Sequence, residues 1–248
     1  MIAAAPALAA RDRVLLLAAI AGIAALAWAY LAMHAIVMGT METKPREATQ
    51  FGMIFLMWAV MMAAMMLPSV APTLVVHAAV SSRLVPEERR GRDAAFASGY
   101  LLSWTVFSLA ASGLQVWLER LALLSPALVH ASPVLGGIVV AAAGVYQLTP
   151  AKEVCLRHCR SPLQFVAEKW RPGYIGAMRM GLWHGAYCIG CCGLLMALLF
   201  VGGVMNLLWA AAIAIFVLLE KLAVAGTRAG RVASGIGLIA AGMLLFFR

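Results

Sequence analysis

Charge is what this sequence has least of. Only 12% of its 248 residues are Asp, Glu, Lys or Arg, and the acidic ones number 10. Ordinary globular domains carry about 25% charge. A chain this poor in it cannot cover a water-exposed surface, which excludes a typical soluble domain. Met1–Ala10 holds no basic residue ahead of the first apolar run, and Arg11 and Arg13 come after that stretch. A cleaved signal peptide is therefore not expected. No lysine lies midway along the last apolar run, 231–247, which excludes a retinal Schiff base of the light-driven pump kind. No internal repeat stands out.

What the chain does contain is apolar. Hydrophobic residues make up 64%, and the mean hydropathy is +0.94. Such a composition implies an integral membrane protein whose partner is the lipid bilayer. The net charge of +9 sits between apolar runs as loop charge, so nucleic acid is rejected as a partner. A helix needs about 20 apolar residues to cross the hydrocarbon. Seven runs are candidates: 14–34, 52–77, 95–117, 132–149, 179–201, 204–225 and 231–247. Six spans remain if the last is re-entrant. With the N-terminus in the cytoplasm, only Lys44, Arg46, Arg120 and Arg248 of the 19 basic residues fall outside. That asymmetry sets the expected orientation. The fold class is thus an all-α, polytopic transmembrane bundle, one integral membrane domain over 1–248.

The longest loop, 150–178, is expected on the cytoplasmic side. Ser161, Pro162 and Gln164 read there as an N-cap, a proline at N1 and a capping partner. Pro172-Gly173 stops the segment. Leu163, Phe165, Val166 and Trp170 among Glu168, Lys169 and Arg171 predict a short interfacial helix. The alternative is an amphipathic linker.

Cysteines are few, five in all, yet three fall in Cys188-Ile-Gly-Cys191-Cys192, within an apolar run. His184 lies one turn earlier. On a helix, His184, Cys188 and Cys191 or Cys192 share a face. Polar or metal-binding groups at that depth are costly without partners and mark candidate sites. Soft sulfur with one imidazole suits Cu(I), zinc or an iron–sulfur centre. The plain alternative is that these thiols are small, inert packing residues. Neighbouring thiols on one helix cannot all hold one ion, so another helix should contribute. Met53, Met57, Met61 and Met65 recur every four residues, beside Met62 and Met66. At 1.5 Å per residue, Met61 and Met65 lie roughly 15–20 Å down their helix, level with Cys188 and Cys192. Thioethers favour Cu(I), although such a stripe also serves packing.

A second sulfur group is Cys155-Leu-Arg-His158-Cys159. In a reducing cytoplasm it fits metal exchange better than a structural disulfide; a solvated basic loop is the alternative. Glu220, beside Lys221, either anchors a helix end or relays protons or ions. His77 is placed within reach of His184, as a relay or an interfacial hydrogen-bonder. His34 with Met33, Met38 and Met41 forms a possible capture site at the outer mouth, and Asn206 reads as a helix cap.

Met57-Trp-Ala-Val-Met-Met-Ala-Ala-Met-Met-Leu-Pro68, Gly144-Val-Tyr-Gln-Leu-Thr-Pro150, Cys155-Leu-Arg-His-Cys-Arg-Ser-Pro162, the Cys188–Cys192 block and Val204-Met-Asn-Leu207 through Glu220-Lys221 occur in this order. Together they resemble the predicted metal-binding integral membrane proteins, a bacterial family of unknown function. The resemblance covers about 50–225 and implies metal binding in a bacterial inner membrane.

The leading expectation is a Cu(I)-handling membrane protein. Cys188, Cys191, Cys192, His184 and Met61 or Met65 would bind the ion. Cys155, His158 and Cys159 would exchange it, and Glu220 and His77 could relay. Handling means binding, transport or transfer, with a metallochaperone or another membrane protein as partner. The alternatives are a membrane oxidoreductase with a metal or thiol centre, using Tyr146, Gln147 and Glu220 for protons, and a non-catalytic assembly subunit.

Overall fold

A computed structural model describes residues 8–38, 47–124, 132–222 and 227–247. Within these residues ten helices follow one another: α1 (Ala10–Met38), α2 (Glu47–Leu84), α3 (Arg89–Arg120), α4 (Pro133–Gln147), α5 (Pro150–Arg160), α6 (Pro162–Lys169), α7 (Gly173–Ala197), α8 (Leu199–Gly202), α9 (Leu207–Leu222) and α10 (Arg228–Phe246). No strand occurs among the described residues.

Among the described residues, five helical stretches are long and apolar enough to cross a membrane: Ala10–Ile36, Gln50–Leu84, Arg89–Arg120, Gly173–Gly202 and Arg228–Phe246. Counting α4 with α5 as one span makes up to six. The sequence reading expects seven. The difference lies in two places. The expected run 132–149 is the 15-residue α4, which bends by 69° into α5. The expected run 204–225 is α9, with 16 residues, about 24 Å at 1.5 Å per residue. The hydrocarbon is about 30 Å thick.

The short helices begin where local chemistry dictates. Ser132 accepts the Leu135 N–H ahead of Pro133, and Thr149 accepts the Lys152 N–H ahead of Pro150. A proline at N1 has no N–H to satisfy and its φ already suits a helix. Ser161 does precede α6, which opens on Pro162, but the Ser161 side chain makes no capping bond. Gln164 donates instead to Glu168 at 2.7 Å. One face of the helix is buried, with Phe165 and Val166 inward and α6 packed on α2, while Leu163, Gln164, Ala167 and Glu168 are exposed. Gly203, at φ +93°, turns the chain between α8 and α9. Asn206 caps α9 by accepting the Trp209 N–H at 3.1 Å.

The core pairs α7 with α3, α3 with α2, and α10 with α4, while α5 lies along α7. The α3–α7 seam is made by glycine. A Cβ on Gly181 would run into the Phe96 carbonyl, one on Gly99 into the Met178 carbonyl, and one on Gly185 would stand 2.5 Å from the Ser103 side chain. The Gly181–Gly185 pair therefore brings two backbones together next to His184. Valine at position 181 must push α3 away. Such overpacking costs about 1–3 kcal/mol or more. The Gly181→Val protein should melt several degrees lower than wild type in detergent. Gly22→Val should melt unchanged, because nothing lies within 4 Å of a Cβ at Gly22.

Candidate metal centre

The 69° bend between α4 and α5 decides the site. It turns α5 back along α7, so the last turn of α5 delivers Cys159 to the face that carries Cys188 and Cys191. The Sγ atoms of these three lie within 4.8 Å of one another, and all three residues are buried. Cys159 and Cys191 are 3.8 Å apart, sulfur to sulfur. An ion held at about 2.3 Å by each of three thiolates would separate the sulfurs by about 4 Å. The spacing fits one soft cation. The two sulfur groups that the sequence separates thus meet through Cys159.

Cys192 turns a different way. Its Sγ donates to the Cys188 carbonyl at 2.9 Å and stands 3.9 Å from the Met66 sulfur. Met66 is thus the thioether next to a thiol. Met61 and Met65 are buried along the same helix. One residue of offset on a helix is about 100° of rotation, which moves the stripe from one face to the next. Cys155 is half-buried, and its Sγ lies 2.6 Å from where a Cβ on Gly190 would stand. The absence of a side chain at Gly190 is what lets α5 lie this close.

Cys188 has the densest surroundings. Lys221 Nζ donates to its Sγ at 2.9 Å and to Ser69 Oγ at 3.0 Å. The Tyr100 hydroxyl lies 3.1 Å from the same sulfur and donates to the Met66 carbonyl at 3.1 Å. A buried ammonium against a thiol group compensates thiolate charge where no water can. Lys221 therefore does not pair with its neighbour Glu220. Adjacent residues on a helix point about 100° apart. Glu220 accepts from Lys152 at 2.8 and 3.1 Å and from Gln147 at 2.8 Å. Both charged side chains are almost wholly buried.

The histidines divide. His184 Nε2 lies 3.4 Å from Thr73 Oγ1, and its Nδ1 has no partner. His77 Nδ1 lies 2.7 Å from Asp93 Oδ1, and its Nε2 has no partner. His158 is turned away from the thiols. It stacks flat on Tyr187 at 4.0 Å and binds the Val154 carbonyl at 2.9 Å. A cleft of about 280 Å³ opens beside it, lined by Val154, Arg157, His158, Ser161, Gln164 and Phe165. Phe165 meets the His184 ring at 4.8 Å on the inner side. Of the outer-mouth group, Met33 and His34 lie on α1, Met38 ends it, and Met41 falls outside the described residues.

Sequence reasoning missed Lys221, Ser69, Tyr100 and Met66 at the thiols, and Lys152 opposite Glu220. The signal for the two lysines is helical geometry: neighbours cannot share a face, so each of Glu220 and Lys221 needs its own partner. Ser69, Tyr100 and Met66 give no such signal, since each is an ordinary helix residue until α2, α3 and α7 pack. Removing one partner of a buried ion pair leaves an uncompensated charge and costs about 3–5 kcal/mol. Glu220→Gln should therefore lower the thermal midpoint strongly. Lys152→Met combined with Glu220→Leu should recover most of that loss in the same melting experiment.

No curated protein and no solved structure matches this chain. The profile of the PpoB2 family, described as copper chaperone, matches residues 55–245, which takes in α3 to α9, most of α2 and all three clustered thiols. A family match over most of the chain and a buried three-thiol cluster fit the same cargo, and the protein belongs to the PpoB2 copper chaperone family.

Proposed function

We propose that this protein is an integral protein of the bacterial inner membrane that receives Cu(I) and hands it on. Its site is Cys159, Cys188 and Cys191, with Cys192 and Met66 alongside. The observation that carries this reading is the meeting of three buried sulfurs from two helices at the spacing one soft cation requires. In this reading the N-terminus lies in the cytoplasm, as the placement of the basic residues favours.

Charge explains why the site can sit in an apolar bundle. Three thiolates and one Cu(I) carry a net charge of −2. Lys221, touching Cys188, offsets one unit of it. The Tyr100 hydroxyl adds a hydrogen-bonding group at the same sulfur. Lys221 thus tunes the site without binding the ion, in the way outer partners orient and balance metal ligands.

Exposure gives the order of exchange. Cys188 is wholly enclosed, Cys159 is 8% exposed, and Cys155, one turn earlier on α5, is half-buried. Ligand exchange at a thiolate site proceeds by an incoming thiolate adding before an old one leaves, so the outermost sulfurs meet the partner first. Cys155 and Cys159 therefore pass the ion between Cys188–Cys191 and the thiols of a metallochaperone or a recipient membrane protein. His158 lines the cleft at that mouth.

Anaerobic Cu(I) titration against a chromophoric chelator tests the site. Cys188→Ser, Cys191→Ser and Cys159→Ser should each weaken binding by well over about 10-fold, the least that loss of a supporting partner costs. Lys221→Met should weaken it by about 10-fold. Cys155→Ser should bind with wild-type affinity and load more slowly from a thiol-bound donor. Equal affinity in the wild type and in the variant lacking Cys159, Cys188 and Cys191 would reject the reading.

A further inference from the structure

Beside the α3–α7 seam lies a groove of about 620 Å³ that the thiol cluster does not use. Two arginines form its polar end. Arg171 stands just ahead of α7, and Arg179 lies on the second turn of that helix. A Cβ on Gly176 would stand 2.8 Å from the Arg171 Cβ, so Arg171 lies against the first turn of α7. Residues 176 and 179 are neighbours on the helix surface. Arg92 Nη2 donates to the Arg171 carbonyl at 3.3 Å, which holds that backbone in place. Arg171 and Arg179 are exposed, and neither forms an ion pair among the described residues. No Asp or Glu lines the groove.

The rest of the groove is apolar. Leu182, Trp183, Ala186 and Ile189 follow Arg179 along one face of α7, and Val106 of α3 faces them. Val106 and Trp183 are 61% and 55% exposed, so no other described element covers this side. His184, Gly185 and Cys188 point the opposite way, into the bundle. At 1.5 Å per residue, Arg179 to Ile189 spans about 15 Å. That is one leaflet of a hydrocarbon layer about 30 Å thick.

We propose that this groove holds an anionic phospholipid of the surrounding bilayer, with its phosphate on Arg171 and Arg179 and one acyl chain along Val106, Leu182, Ala186 and Ile189. The inference rests on the chain spanning a membrane, and not on which ion the thiols take. Charge complementarity carries it. Two guanidiniums without a protein carboxylate attract an anion, and their planar forks match phosphate. Basic pockets between membrane helices on the cytoplasmic side take anionic headgroups, and in the proposed orientation α7 starts on that side. A zwitterionic lipid brings an ammonium of its own toward the arginines. A free phosphate ion leaves the apolar wall bare. Trp183, one turn beyond Arg179, is an amphipathic ring of the kind that sits near the headgroup level. On this account α7 carries thiols on its inner face and lipid on its outer one.

The test is quenching of Trp183 fluorescence by brominated acyl chains. The full chain is placed in phosphatidylcholine vesicles with a rising minor share of brominated phosphatidylglycerol, or of brominated phosphatidylcholine. Subtracting the Trp183→Phe signal isolates the one indole. Each arginine near the surface is worth about 5-fold, so phosphatidylglycerol should quench at a share about 30-fold lower than phosphatidylcholine. Arg171→Gln and Arg179→Gln should each give up about 5-fold of that preference, and the double variant nearly all of it. Ala186→Phe, which keeps both arginines and fills the groove, should also lose it. Arg83→Gln removes an exposed arginine at the end of α2, outside the groove, and should keep it. Equal quenching by the two lipids overturns the proposal, as does an Arg83→Gln loss as large as that of Arg179→Gln. Inorganic phosphate that abolishes the preference overturns the lipid in favour of a free anion. No quenching by either lipid means that protein covers the groove, and overturns it too. Chain washed off the vesicles by alkaline carbonate would contradict the membrane reading itself; chain that stays embedded while the lipids quench alike sinks the groove alone.

Discussion

The buried pair of Lys152 and Glu220, 2.8 Å apart, governs how this bundle is put together. Lys152 belongs to the first turn of α5, and Glu220 to the last turns of α9. An unpaired charge in either place would be too costly to bury, so each holds the other inside. Their pairing seats the start of α5 against the bundle, and the rest of that helix then lies along α7. Around it, Arg231 bridges Glu153 at 3.1 Å, and Arg157 reaches the same carboxylate at 2.7 Å. These outer contacts are more exposed and contribute less. The inner pair fixes the position, and Cys159 arrives beside Cys191 as a consequence.

A second constraint acts on the thiols themselves. Lys221 is turned onto Cys188, while its neighbour Glu220 is turned onto Lys152. Two neighbouring residues on α9 thereby serve two different purposes, one electrostatic at the thiol cluster and one architectural at α5. The glycines at 99, 181 and 185 complete the arrangement by letting α3 approach α7 closely enough for Tyr100 to touch Cys188. Function and packing meet at the same few positions.

Much of this is legible in the amino-acid sequence, for physical reasons. Scarce charge and long apolar runs announce helices, because backbone groups without water must bond internally. Three cysteines within five residues after a histidine announce a site on one helical face. What the sequence does not show is the third dimension. The reading that places 150–178 in a loop has no means of sensing the bend after Gln147, since Thr149-Pro150 signals a helix start without giving its direction. Met66, one residue beyond Met65, stands beside Cys192, and one residue of offset on a helix rotates a side chain onto another face. The count of seven runs differs from five or six spans because α4 and α9 are apolar yet short.

The claim on which the account stands is that sulfurs from α5 and α7 meet inside the bundle. Disulfide capture measures this directly. A protein retaining only Cys159 and Cys191 would carry a protease site between α6 and α7, be treated with a mild thiol oxidant, cut, and run without reductant. With the sulfurs 3.8 Å apart, the two fragments should stay joined and separate only on reduction. Fragments that separate without reductant would show that Cys159 does not reach α7, and the three-thiol centre would be contradicted.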